Sequence, residues 1–504
     1  MNRQRGGRIN VGWMAFVLSV VVFAALVAVL AWKPRGQAQG TEPVLLYCAA
    51  GIRVPVEAVA KRYEQEFGVK IQLEYGGSQT LLAQAELSRK GDLYLPADDS
   101  YVAMARKKQL LDEVVPVARM RPVLAVQKGN PKGIRTLDDV LRAGVRLAMA
   151  NPDAAAVGKV TREALTKAGR WEAVNKHTTV FKPTVNEVAN DVKLGTVDAA
   201  FVWDVTVRQY PELQGIELRE LEGVAAHISI AVLHNSARPI AGLRFARYLS
   251  AGDKGLVEFK KAGFEPIEGD GWTERPEMLL LSGAMLRPAI EETIVRFEFR
   301  EGARVNRVYN GCGILVAQMK AGQRPDAYFS CDTSFMSQVA DMFMDIRDIS
   351  GNSMMIVVPR SNPKQIRTLV DLGRAGLKVG LAHEQQSALG ALTRKVLLEA
   401  GGGIYEAVRK NLAVESATGD LLVNQLRAGS LDAIIVYVSN TAASKEHLEV
   451  VAIELASASA TQPMGIGRES KNKQLASRLA QAIRSAESRG RFVSLGFGWK
   501  VPAE

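Results

Sequence analysis

The chain has 504 residues, of which 47% are hydrophobic and 23% charged, and a formal net charge of +11. This balance excludes a disordered chain, and the length exceeds what one core fills, so at least two folded units are required. Nucleic acid is not implied, because no basic cluster is interleaved with aromatics; an anionic membrane surface or an anionic ligand remain as partners for the basic surplus.

Arg3, Arg5 and Arg8 precede an uncharged run from about Ile9 to Trp32. At 1.5 Å per residue this run can cross a hydrocarbon core of about 30 Å. It is longer than the ~7–15 apolar residues of a cleavable signal, is bracketed by Trp13 and Trp32, and stops at Lys33-Pro34-Arg35. Residues 1–40 are therefore expected to be a transmembrane signal anchor and its linker, with the arginine-bearing end in the cytoplasm and the bulk of the chain outside. Gly36-Gln37-Ala38 is an alternative cleavage site. Cys48 follows Leu46-Tyr47 and lacks the small preceding residue of a lipid-attachment site.

Beyond this segment strands and helices alternate. Val44-Leu-Leu-Tyr-Cys-Ala-Ala50 is an apolar run ended by Gly51, and residues 55–67 carry apolar side chains at three and four spacing before Gly68. A buried strand feeding an amphipathic helix is predicted. Val69 to Tyr75 alternates with period two, Gly76-Gly77 ends it, and Ser78 opens a second helix over Thr80 to Leu87. Asp92-Leu-Tyr-Leu95 is a third strand, and Pro122 to Gln127 reads as a strand crossing into a second lobe. That lobe begins with Thr136-Leu-Asp-Asp-Val140 and holds strands at Arg146–Ala150 and Asp198–Trp203, after which His227–Leu233 returns the chain to the first lobe. Such alternation predicts a mostly parallel sheet wrapped by helices.

The pattern then repeats. Lys128-Gly-Asn-Pro-Lys-Gly-Ile-Arg-Thr-Leu reappears as Arg360-Ser-Asn-Pro-Lys-Gln-Ile-Arg-Thr-Leu, and Gly195-Thr-Val-Asp-Ala recurs at Gly429-Ser-Leu-Asp-Ala. The same offset of roughly 230 residues sets Tyr75-Gly-Gly-Ser on Tyr309-Asn-Gly-Cys and Gly91-Asp-Leu-Tyr on Pro325-Asp-Ala-Tyr, a period far beyond the ~20–50 residues of solenoids and propellers. Two tandem domains are expected, at 41–270 and 276–504, joined by a short linker that limits their separation. Gly401-Gly-Gly403 faces Gly169-Arg170 in the first copy and reads as an insertion ending a helix.

Enzymatic chemistry finds little support. The five histidines are scattered without metal-ligand spacing, and no Gly-x-Ser-x-Gly elbow occurs, so no catalytic residue, metal or cofactor is expected. Cys48, Cys312 and Cys331 are too few for a disulfide framework; they read as small buried apolar residues, and spacing leaves a Cys312–Cys331 pairing open.

The strand-Ala-Ala-Gly loop, the Gly-Gly-Ser helix start, the Asp-Leu-Tyr strand, the Asn-Pro crossover, the Asn-Pro-Asp loop and the Gly-x-Val-Asp-Ala-x-Phe-Val-Trp strand together resemble the periplasmic molybdate-binding proteins. The resemblance covers both copies and implies an α/β fold: two tandem type II periplasmic-binding-protein-like bilobed domains after the transmembrane helix. It implies clamps that close on a dehydrated tetrahedral oxyanion, molybdate, tungstate or similar, and deliver it to an ABC transporter permease. Helix amino termini offer unpaired N–H groups and a positive dipole end, so neutral donors can hold such an anion.

Carried over position by position, the family's first-loop serine falls at Gly51, its second-loop serine at Ser78, its two backbone donors near Val157 and Val185, and its tyrosine at Trp203. In the second copy the positions are Met285 or neighbouring Ser282, then Cys312, Leu389, Gly419 and Tyr437, and Ser387 can add a hydroxyl if its loop turns inward. Ser78 keeps its hydroxyl and Tyr437 matches the family, whereas Cys312 is a weak donor and Trp203 offers an indole N–H on a bulky ring. Each has a plainer alternative: Ser78 as a helix cap, Trp203 and Tyr437 as core aromatics, Asp153 and Asp204 as turn residues. Besides a membrane-tethered solute-binding protein, the unmatched donors at Gly51 and Cys312 suit a sensor or scaffold built from degenerate clamps.

Overall fold

The computed structural model describes residues 42–444 and 446–502. The span expected between Ile9 and Trp32 lies outside them, and among the described residues no helix is long and apolar enough to cross a membrane.

The apolar run after Glu42 forms the strand Val44–Ala49, which pairs in parallel with Ile71–Gly76 on one side and Leu93–Leu95 on the other. Its continuous hydrophobicity reflects helices packed over both faces of a parallel sheet. The helix Arg53–Phe67 buries Val56, Val59, Ala60 and Tyr63, and it ends at Gly68, whose φ of 70° lets its N–H reach back to Glu64 O. The second copy repeats this end: helix Arg287–Glu301 stops at Gly302, with φ 62° and an N–H bond to Glu298 O.

Each copy has two lobes. In the first copy a six-stranded sheet runs in the order Glu265–Pro266, Leu111–Met120, Ala226–Leu233, Leu93–Leu95, Val44–Ala49, Ile71–Gly76. A five-stranded sheet follows the order Thr178–Lys182, Leu147–Ala150, Ala199–Trp203, Pro122–Gln127, Leu213–Ile216. The chain crosses between lobes at Arg121 and returns after Ile216 to enter Ala226–Leu233. Strand Leu111–Met120 is not signalled by periodicity: Asp112, Glu113, Pro116 and Arg119 interrupt it, and its pairing with Ala226–Leu233 shifts register twice.

The second copy crosses differently. One strand, Phe343–Pro359, pairs with Ser459–Gly467 along its first part and with Ala433–Tyr437 and Leu448–Ala452 along its last, so both lobes share a ten-stranded sheet. In the first copy that continuity is cut because Pro122 lacks an N–H and Arg121 is diverted to Asp204, whose Oδ1 accepts the Arg121 N–H at 3.0 Å.

The first lobes of the two copies are tied together. Arg300 donates to Glu113 at 2.7 and 2.9 Å and to Asp112 at 3.0 Å, joining the helix Arg287–Glu301 to the strand Leu111–Met120. Arg478 forms a buried two-pronged pair with Glu301, and Arg247 of the first copy donates to the Glu301 carbonyl. Asp270, in the linker, accepts the N–H groups of Gln474 and Leu475 at 3.0 and 2.9 Å, which caps the helix Lys473–Ile483.

Candidate functional site

In the first copy, Gly51, Ser78, Val157, Val185 and Trp203 line one cavity between the lobes, together with Ala97 and Thr184. The cavity measures about 20 Å³ for the centre of a water molecule, where one water needs ~10–15 Å³, so it suits a compact ligand. No charged side chain lines it.

Each donor is placed by a local rule. Ser78 is the first residue of the helix Ser78–Ser88, but Gly77 holds the cap position and no side chain caps it. The Ser78 hydroxyl instead accepts the Ala97 N–H at 3.1 Å, and the Tyr94 hydroxyl donates to the Ser78 carbonyl at 2.7 Å. Because Oγ is an acceptor in that bond, its own proton is available to the cavity. On the opposite lobe the helix Ala156–Lys167 starts after Ala155 without a side-chain cap, leaving first-turn N–H groups unspent around Val157. The helix Val185–Lys193 starts after Thr184, whose Oγ1 accepts the Glu187 N–H at 3.4 Å and donates to Glu187 Oε1 at 2.8 Å. Two helix amino termini and one hydroxyl thus face one space.

Trp203 is 1% exposed and ends the strand Ala199–Trp203. A Cβ on Gly51 would stand 3.0 Å from Val185 Cγ1, 3.2 Å from Trp203 Cδ1 and 3.5 Å from Trp203 Nε1. The indole therefore occupies the room a side chain at position 51 would need. Asp153 pairs with Arg162 at 2.8 Å on the surface, and Asp204 accepts the N–H groups of Arg121 and Val205. Both carboxylates serve turns.

The lobes are closed on each other. The Gln79 N–H donates to Ala154 O at 3.0 Å across the cleft, and a Cβ on Gly77 would lie 2.4 Å from Ala154 O and 2.9 Å from Pro183 O. The second copy closes alike: Gly313 N–H donates to Gln386 O at 3.0 Å, and a Cβ on Gly311 would lie 2.4 Å from Gln386 O and 2.9 Å from Ala417 O.

The second cleft differs in its side chains. Strand register puts Met285, rather than Ser282, in the place of Gly51; Ser282 matches Cys48, is fully buried, and donates to Gly283 O at 3.4 Å. Leu389 lies in the first turn of the helix Ala388–Glu399, which Ser387 precedes, and Gly419 opens the helix Gly419–Arg427. A Cβ on Gly419 would meet Asn440 Oδ1 at 2.6 Å; Asn440 also accepts the Tyr437 N–H at 3.2 Å and donates to Asp420 at 2.8 Å. The Tyr437 hydroxyl is buried without a hydrogen-bond partner among the described residues. Its pKa is pushed well above the usual phenol range, by burial first and then by the neighbouring Cys331, Asp332 and Cys312.

Sequence reasoning missed Thr184, Ala97, Asn440 and the closing glycines. Thr184-Val-Asn-Glu187 is a capping-box pattern that marks a helix start. Nothing local signals the others, since their roles come from contacts across loops or lobes.

The family model for bacterial extracellular solute-binding proteins matches residues 44–265 and again 278–498. A binding protein of Haemophilus influenzae is 32% identical over 230 residues, which is 44% of this chain and 91% of that protein. The molybdate-binding protein ModA of Mycobacterium tuberculosis is 24% identical over 248 residues, 48% of this chain and 93% of the relative. Among solved structures, the periplasmic molybdate-binding protein of Azotobacter vinelandii aligns with a TM-score of 0.37 and 17% identity, over 44% of this chain and 98% of its own. With both halves matched over nearly their whole length, the chain belongs to the family of bacterial extracellular solute-binding proteins, as two members in tandem.

Proposed function

We propose that the protein is a membrane-anchored receptor for an ABC transporter, and that its first copy captures a compact tetrahedral oxyanion, molybdate or a close relative. One observation carries this reading: a small interlobe cavity lined by Ser78, Trp203 and the amino termini of two helices, with no charged side chain. Neutral N–H and O–H donors at helix starts stabilise an anion without a buried cation, and the cavity's size disfavours larger solutes. The relatives named for molybdate binding agree with that choice of ligand.

The second copy favours a separate reading. Cys312 stands where the first copy has Ser78, and Cys331 where it has Ala97, so the hydroxyl donor is replaced by sulfur. We assign anion capture to the first clamp alone.

Isothermal titration of the protein with molybdate, tungstate, sulfate and phosphate tests this. One equivalent of a tetrahedral oxyanion is expected to bind, and Ser78→Ala weakens it about tenfold, the loss of one hydrogen bond to a charged group. Heat-silent titrations with all four anions, backed by an unchanged melting temperature, overturn the receptor reading in favour of a scaffold.

A further inference from the structure

Cys312 and Cys331 lie 19 positions apart, and their Sγ atoms are 2.7 Å apart in the floor of the second cleft. Cys312 opens the helix Cys312–Lys320, and Cys331 follows the strand Ala327–Phe329. The backbone around them is that of the first copy: Cys331 N–H donates to Cys312 Sγ at 3.1 Å, just as Ala97 N–H donates to Ser78 Oγ at 3.1 Å. A third position differs in step. Strand register matches Gly283 with Ala49, and a Cβ on Gly283 would lie 2.0 Å from Cys331 Sγ and 3.2 Å from Cys312 Sγ. Glycine makes the space that the second sulfur fills. A cysteine serving only as a small apolar filler needs neither a second cysteine at its contact nor a missing methyl beside it.

We propose that Cys312 and Cys331 form a redox site in the second cleft, a dithiol that closes to a disulfide on meeting a small disulfide oxidant outside the membrane. Burial raises the Cys312 thiol, but hydrogen bonds from the Cys331 thiol and N–H and from the Tyr328 and Ser330 hydroxyls together outweigh it and bring Cys312 below the ordinary thiol range. The shared proton stays on Cys331, whose bond to Cys312, then its burial, hold it well above that range. With the lobes parted, the Cys312 thiolate attacks one sulfur of the oxidant; the oxidant's S–S bond breaks and one thiolate leaves. Cys331 then loses its proton to solvent and attacks Cys312 Sγ, expelling the oxidant's second half as a thiolate. Two electrons pass to the oxidant and one S–S bond replaces another. Disulfide formation removes the Cys312 negative charge and the proton shared with Cys331 from the cleft floor, beside the Tyr437 hydroxyl that has no partner among the described residues, so redox state sets what this clamp can hold.

Cys48 provides an internal control: it is fully buried in the first copy and bonded to Ala49 O at 3.5 Å. The full-length protein, purified in detergent, is equilibrated with a mixture of reduced and oxidised glutathione at the ratio of an oxidising compartment. It is then denatured, alkylated with N-ethylmaleimide and weighed intact. One adduct is expected, at Cys48, rising to three when reductant precedes alkylation, and non-reducing digestion yields a peptide linking Cys312 to Cys331. The double variant Cys312→Ser, Cys331→Ala, which restores the first copy's pair, takes one adduct under both conditions. More than one adduct on the oxidised wild-type protein, or a linkage through Cys48, overturns the proposal.

Discussion

The two clamps share their backbone devices and differ in the side chains those devices present. Both close with an N–H to carbonyl bond of 3.0 Å across the cleft, and both set a glycine where a Cβ would come within 2.4 Å of the opposite lobe. Around that common frame the first cleft holds a hydroxyl and an indole, whereas the second holds two sulfurs, a buried phenol and the Asn440–Asp420 pair. Closure is a property of the backbone, so it survives in both copies. Ligand choice is a property of a few side chains, so it can diverge between copies without disturbing the hinge.

The largest expected effect comes from the buried ion pair of the second copy that sits at the seam with the first. Glu301 is 3% exposed and forms a two-pronged pair with Arg478, with Arg247 of the first copy 4.0 Å from the same carboxylate, so Glu301→Gln breaks a buried ion pair, a loss of about 3–5 kcal/mol. Thermal unfolding followed by calorimetry is expected to shift downward. Replacing Glu301 and Arg478 together by methionine removes both charges and is expected to recover much of the loss. A Glu301→Gln protein that melts like the wild type would show that this buried pair contributes little to stability.

Next in size is a test of which clamp works. Gly77→Ala places a methyl against Ala154 O and Pro183 O, backbone atoms that cannot step aside, and Gly311→Ala does the same against Gln386 O and Ala417 O. Overpacking of about 1–3 kcal/mol in the closed state weakens binding by roughly 5- to 150-fold. Oxyanion titration is expected to register that loss for Gly77→Ala and almost none for Gly311→Ala. Equal losses would mean that both clefts bind, and the reverse order would reassign the receptor to the second copy.

Much of this architecture was legible before any coordinates. The tandem repeat, the strand-helix alternation and the crossing at Pro122 all follow from local patterns, because buried strands and amphipathic helices write their periodicity into the chain. The positions that the family resemblance pointed to, Gly51, Ser78, Val157, Val185 and Trp203, line one cavity. Strand Leu111–Met120 escaped because half of its face meets charges of the second copy, including Arg300, and carries no clean alternation. The Cys312–Cys331 contact, which spacing left open, is decided only by the fold, because it joins a helix start to a strand end; strand pairing likewise chooses Met285 over Ser282, the two positions the sequence offered for the place of Gly51. The closing glycines were read as loop punctuation; their role depends on a carbonyl more than 70 residues away, in the other lobe.

The smallest expected effect concerns a latch that only one clamp has among the described residues. In the first copy Lys159, on the helix Ala156–Lys167, reaches across the cleft to Ser100 Oγ at 2.5 Å and lies 5.1 Å from the centre of the Tyr101 ring. Register puts Ala391 in its place in the second copy, opposite Ser334 and Phe335, where no such bond can form. A partly exposed hydrogen bond and cation–π contact contribute about 0.5–1 kcal/mol each to the closed state. Lys159→Met keeps the apolar stem and removes the charge, so it is expected to weaken oxyanion binding by a few-fold, with the change in the dissociation rate because the latch acts after capture. Stopped-flow measurement of both rate constants checks this. A fall in the association rate instead, relieved by added salt, would mean that Lys159 steers the anion in rather than holding the lobes shut.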